Sequence, residues 1–129
     1  MTKPEDLMVD NWIRIADEGY NSMRGEYHQI DWIKRGEIGL DNRKIITPPY
    51  ADPVPLTREI LENNEWKYAK SPTGDQMMVL HNDKGVAFLW WMLDTKDMML
   101  TGGSLIHVPY VHQMQNILKF IDPTKKIIL

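Results

Sequence analysis

From Leu7 to Ala16 the chain alternates, with Val9, Asn11, Ile13 and Ile15 on one side and Met8, Asp10, Trp12 and Arg14 on the other. A period of two places successive side chains on opposite faces of a pleated backbone, so this segment is predicted as a strand. Residues 1–6 read as a frayed terminus, and Asp17 to Gly25, with two Gly, Asn and Ser, as a loop. Tyr27 to Ile33 alternates again, with His28, Ile30 and Trp32 on one predicted face. Gly36, Gly39 and Asp41-Asn42 then break the chain into short pieces leading to Lys44-Ile45-Ile46-Thr47. Pro48, Pro49, Pro53 and Pro55 lack backbone donors and mark an extended connector and boundary.

A helix is predicted to follow. Thr57 suits its N-cap, Glu59 complements the positive end, and Leu56 can staple to Leu61, while Asn63-Asn64 can end it in a left-handed turn. Trp66–Lys70, Gln76–His81 and Val86–Leu93 read as strands separated by turns at Ser71–Asp75 and Asn82–Gly85. Met98–Thr101 and Ser104–Val108 form one bent strand or two short ones around Gly102-Gly103. Pro109 or Tyr110 opens a last helix, Asp122-Pro123 stops it, and Tyr110, Met114, Ile117, Leu118 and Ile121 form its expected buried stripe. The fold class expected is α+β. A mainly antiparallel sheet has an N-terminal small barrel-like part, a short middle helix, and a longer C-terminal helix packed on the second, meander-like sheet. At 129 residues the length fits a single domain, residues 1–129, with 1–50 as the N-terminal β part and 51–129 as helix, meander and final helix.

Composition narrows the chemistry. Cysteine is absent, which excludes disulfides, thiol catalysis and Cys-ligated zinc or iron–sulfur clusters. The net charge is −3 without a basic stripe, so general nucleic-acid binding is not expected. The longest apolar run, Val86 to Leu93, falls well short of a membrane span, and Met1 to Asp6 has no signal-peptide core. A soluble protein of the cytoplasm, without membrane association, is the expectation.

Three motifs carry a resemblance. Asn11-Trp12-Ile13, then Pro53-Val54-Pro55-Leu56-Thr57 followed by Ile60-Leu61, then Tyr110-Val111-His112-Gln113-Met114-Gln115-Asn116 occur in this order. Together they resemble a family of small proteins encoded by phages, prophages and mobile elements of Bacteroidetes-type bacteria. The chain departs from that family at Asn64-Glu65-Trp66, where the family has Gly-Phe, and at Asp122-Pro123-Thr124, where it continues Thr-Gly-Glu-Glu; residues 17–50 match poorly. The family has no assigned activity. The resemblance therefore implies a fold and a genomic setting, with the host's cytoplasm as location.

Candidate sites stand beside plainer readings. His112, Gln115, Asn116 and Lys119 share one face of the last helix and offer a polar site; alternatively they satisfy backbone of an adjacent sheet. Trp12, Trp91 and Tyr110 offer stacking platforms. His107, His112, His28 and His81 follow no metal-ligand pattern, and Ser22, Ser71 and Ser104 lack a nucleophile context, so no metal, cofactor or catalytic residue is assigned. Gly102-Gly103-Ser104 reads as a turn or bulge, not a phosphate cradle, and Asp94 and Asp97 as solvated turn residues. In the strand Val86–Leu93, Phe88, Trp90 and Met92 oppose Leu89, Trp91 and Leu93. Either the strand is covered on both faces, or one apolar face serves association, with Met77, Met78, Met98 and Met99 as an adaptable surface.

The leading functional expectation is a non-catalytic accessory binding protein of a phage or mobile element. By analogy it is a host-defence inhibitor that sequesters a protein partner or a small signalling nucleotide. Homo-oligomerisation or binding of a host protein is expected, with Trp12, Trp91, Tyr110, His112, Gln115 and Asn116 as binding residues. The alternatives are a small nucleotide-directed hydrolase using histidine as acid/base, and a phage structural or assembly protein.

Overall fold

The computed structural model describes residues 6–16, 23–100 and 103–129. The expected frayed terminus apart from Asp6, most of the 17–25 loop, and Gly102 of the Gly-Gly pair lie outside the described residues. The chain divides into two compact units, one formed by residues 1–55, 110–125 and 129, the other by residues 56–109 and 126–128.

The first unit carries strands β1 (Trp12–Ile15), β2 (Tyr27–Lys34), β3 (Glu37–Leu40), β4 (Ile45–Ile46) and β5 (Ala51–Pro53), paired antiparallel in the order β4-β3-β2-β1-β5. Leu7, Ile13, Ile15, Met23, Ile30, Ile38, Leu40, Ile46 and Ala51 form its hydrophobic cluster. Among the described residues no pairing joins β4 to β5, so the barrel-like closure expected of the N-terminal part is not seen. The strand predicted from Leu7 begins only at Trp12, because residues Met8 to Asn11 turn, with Asp10 at φ 72°. The proline cluster is not a connector. Pro48–Tyr50 make a 3-10 turn and Ala51–Pro53 add an edge strand, where Pro53 needs no ladder donor.

A register shift between Ile30 and Trp32 corrects the expected common face of β2. Ile30 pairs with Leu40 and is buried, whereas Trp32 pairs with Gly39 and is half-exposed. A Cβ on Gly39 would lie 2.1 Å from the Trp32 indole, so the ring occupies the place of the missing side chain.

Helix α2 (Val111–Ile121) belongs to this first unit and lies against β1, which corrects its expected assignment to the meander. Its buried residues are Val111, His112, Met114, Gln115 and Leu118, while Ile121 is exposed. The buried face is thus turned by about one position from the purely apolar stripe, and a glutamine lies in it. Pro109 precedes the helix; Tyr110 is the N-cap, and its backbone N–H donates to the Gln113 side chain at 3.2 Å.

The second unit is a meander. Helix α1 (Arg58–Glu62) is capped by Thr57, whose hydroxyl accepts from the Ile60 N–H at 3.2 Å. The left-handed residue after it is Glu65, not the Asn63-Asn64 pair, and Asn64 instead binds Ile60 and Ile128. Strands β6 (Lys67–Lys70), β7 (Gln76–His81), β8 (Ala87–Met92), β9 (Asp97–Leu100) and β10 (Leu105–His107) pair antiparallel in the order β10-β9-β8-β7-β6. The segment around Gly102-Gly103 is therefore flanked by two strands, the second of the expected alternatives.

Candidate functional site

The polar face of α2 has a definite task. Where the Met8–Asn11 turn enters β1, the Asp10 carbonyl and the Trp12 N–H meet α2, and the Asp10 carbonyl also accepts from Gln29 Nε2 at 3.0 Å. Gln115 answers both: its Oε1 accepts from the Trp12 N–H at 2.8 Å and its Nε2 donates to the Asp10 carbonyl at 2.9 Å. A carboxamide suits this because one group carries an acceptor and a donor. At the next residue, the Asn116 Oδ1 accepts from Asn11 Nδ2 at 2.7 Å, and its Nδ2 donates to the Asp6 carbonyl at 3.1 Å. Asn11, fully buried, also accepts from the Met8 N–H at 2.7 Å. Lys119 reaches the Val9 carbonyl.

His112 is 1% exposed. Its Nε2 lies 3.0 Å from Asp6 Oδ2, and its ring stacks on Tyr110 with centroids 5.9 Å apart, while Nδ1 is buried without a hydrogen-bond partner among the described residues. The structure thus brings His112, Gln115 and Asn116 to residues 6–12, with Trp12 in that segment and Tyr110 stacked on His112, and the plainer reading describes the polar atoms of the three: they hold the chain's own N-terminal segment. Trp91 is placed elsewhere, in the meander. It is fully buried, its Nε1 donates to the Val108 carbonyl at 2.9 Å and Lys96 sits over its ring, so it offers no stacking face to a ligand. Its indole is needed as core volume, and burial of its N–H demanded a partner.

The open surface is the other side of the same strand. Antiparallel register puts Lys67, Val79, Trp90, Met99 and Leu105 in one row, and Ala69, Met77 and Met92 in the next. The opposite face carries Met78, Leu80, Leu89, Trp91 and Met98, all buried, with α1 against β6 and β7. On the outer face Val79 is buried, Trp90, Met92 and Met77 are half-buried, and Met99 and Leu105 are exposed; the register shift between Leu80 and His81 falls at Phe88 and takes it out of these rows. The methionines therefore divide by face, Met78 and Met98 to the core and Met77 and Met99 outward, which simple alternation along two short strands dictates.

A third constellation escaped the sequence reading. His28 on β2 is bridged by Glu26 at 2.8 Å and Asp41 at 2.7 Å, and the other Asp41 oxygen accepts from the Gln29 N–H at 3.0 Å. Partial burial acts against the charged imidazole, but the hydrogen bonds to Glu26 and Asp41 and their charge outweigh it and raise its pKa. Asp41 shifts down: burial opposes this, and the Gln29 N–H and His28 outweigh it. Glu26 and His28, two positions apart in the sequence, were a legible hint; Asp41 comes from the start of the β3–β4 turn and was not. His107 similarly meets Asp97 at 2.9 Å on an exposed edge. Among the described residues no group of three or more His, Asp or Glu side chains is placed to hold a metal ion, and no helix is long and apolar enough to cross a membrane. No protein-family model matches the chain, and no curated protein and no solved structure is found to be similar to it.

Proposed function

We propose that this chain is a non-catalytic binding protein whose working surface is the outer face of the meander. The observation that carries this reading is the division of β8: Leu89 and Trp91 are sealed in the core, while Trp90 and Met92 stand on the outer face beside Met77, Met99 and Leu105. Methionine and tryptophan together give large, adaptable contact area, as protein interfaces favour. A protein partner suits that face better than a small nucleotide. The groups assigned to nucleotide recognition, Trp91, His112 and Gln115, are buried and engaged within the chain. The phage or mobile-element setting, the host-defence role and the cytoplasmic location rest on the family resemblance alone and belong to this proposal.

Native mass spectrometry of the protein purified from element-bearing cells tests it. Wild type is expected to retain a partner that Trp90→Glu loses, with unchanged circular dichroism. A bare monomer in both cases defeats the binding reading. The hydrolase alternative draws on the pairs His112–Asp6 and His107–Asp97. It requires that His107→Ala abolish a measurable nucleotide turnover.

A further inference from the structure

The edges of the two sheets differ in how they are guarded. β4 is two residues long and follows Arg43-Lys44, and β5 carries Pro53, which has no donor. β6 begins and ends in exposed lysine, Lys67 and Lys70. Such short lengths, prolines and lysines are the usual defences of a strand edge against pairing with another chain. β10 is also short, at three residues, but carries neither proline nor lysine: Leu105-Ile106-His107 is exposed throughout, Leu105 by 61% and Ile106 by 41%.

The backbone of this edge has a readable pattern. The Leu100 N–H donates to the Ser104 carbonyl and the Val108 N–H to the Lys96 carbonyl, so the even-numbered residues of β10 bond inward to β9. In an antiparallel ladder the alternate residues then point outward. Leu105 and His107 therefore direct N–H and C=O groups away from the sheet, two residues apart and centred on Ile106.

We propose that β10 pairs antiparallel with β10 of a second copy about a twofold axis at Ile106. This rests on the reading of the meander's outer face as an association surface, and it names the partner as the chain itself. The spacing is self-complementary: Leu105 exchanges both backbone bonds with the partner's His107, and His107 with the partner's Leu105, while Ile106 meets its own copy at a non-hydrogen-bonded position. The charges agree. Each Asp97–His107 pair lies at an opposite end of the joint, facing leucine rather than its own equivalent, so no like charges meet across it. The axis stands perpendicular to the sheet, so the two outer rows ending in Met99 and Leu105 fall on the same side and join into one apolar surface.

Absence of native cysteine makes the register directly testable in the full chain. Non-hydrogen-bonded antiparallel pairs bring Cα atoms to about 4.5 Å, inside the disulfide range. Under mild oxidant Ile106→Cys is expected to form a covalent dimer to near completion, whereas Leu105→Cys, offset by two residues from its copy, stays uncrosslinked. Light scattering should give a doubled mass for wild type and a single mass for Ile106→Lys, each with native circular dichroism. A wild-type monomer at all concentrations, or a dimer indifferent to Ile106→Lys with Ile106→Cys uncrosslinked, overturns the pairing. Trp90→Glu separates the two readings: loss of association in Trp90→Glu with Ile106→Cys uncrosslinked leaves the face reading standing and removes the edge. Crosslinking of Ile106→Cys in a Trp90→Glu background does the reverse.

Discussion

The two units are held together by different means. In the first, α2 is fixed by side chains that hydrogen-bond backbone and side-chain groups more than a hundred residues away, at Asp6, Asp10, Asn11 and Trp12. In the second, strands adjacent in sequence are adjacent in the sheet, and one apolar face supplies the core. The difference teaches where information about structure resides. A meander is built from local hairpins, each announced by its own turn residues and its own alternation. The polar clamp needs two distant segments to meet, and nothing local in Gln115 says which carbonyl and which N–H it will serve.

The comparison breaks most sharply on β8. Trp91→Ala removes a fully buried indole and orphans the Val108 carbonyl, so a loss of about 3–5 kcal/mol is expected in urea unfolding. Trp90→Ala, on the half-exposed face of the same strand, should cost about 1 kcal/mol or less. Equal costs would refute the assignment of core and open face.

The clamp in the first unit comes next. Gln115→Leu keeps the volume but removes the side-chain acceptor of the Trp12 N–H and leaves the Asp10 carbonyl with Gln29 alone, and about 1–3 kcal/mol should be lost. Hydrogen exchange should rise at residues 8–12 and remain unchanged in β7 and β8. Uniform loss of protection would mean that the two units unfold as one. Gly39→Ala should cost about 1–3 kcal/mol, since the Trp32 ring must leave its place, and the emission of Trp32 should shift to the red.

The smallest effect sharpens the comparison by pH. The pKa of His28 is raised above 6.5 in the folded chain, so its contribution to stability is complete below about pH 6.5 and is lost as pH rises through its folded value. Asp41 acts in the opposite sense: its pKa is lowered from 3.8, so its contribution is complete above about that pH and lost as pH falls through the folded value. Urea midpoints of the first unit should therefore decline above about pH 6.5, and His28→Gln should flatten that slope. An unchanged slope in the variant would remove His28 as its source.

Much of the meander was legible before any coordinates. Its three long strands, the turns at Ser71–Asp75 and Asn82–Gly85, and the Thr57 cap all follow from local chemistry. The two faces of β8 were legible too, although which one stays open was not, because alternation divides a strand without saying what covers either side. The first unit resisted. The β-bulge between Ile30 and Trp32 exchanges faces in mid-strand, and the Gly39–Trp32 fit that accompanies it links two strands. The proline cluster was legible as a boundary, and the first unit's opening segment does end at Pro55; the edge strand within it was not, because missing donors suit a connector equally well.

What the amino-acid sequence determined by itself was the periodicity, and with it the identity of most elements and an α+β fold. A two-residue period, a hydroxyl at a helix start and a glycine in a turn act through neighbours a few residues away, so their effects can be read along the chain. The tertiary structure decided which unit the last helix joins, which tryptophan is sealed and which left open, and that His112, Gln115 and Asn116 serve the chain itself. Those outcomes depend on unsatisfied backbone groups and uncovered faces, and such groups acquire partners only when distant segments meet.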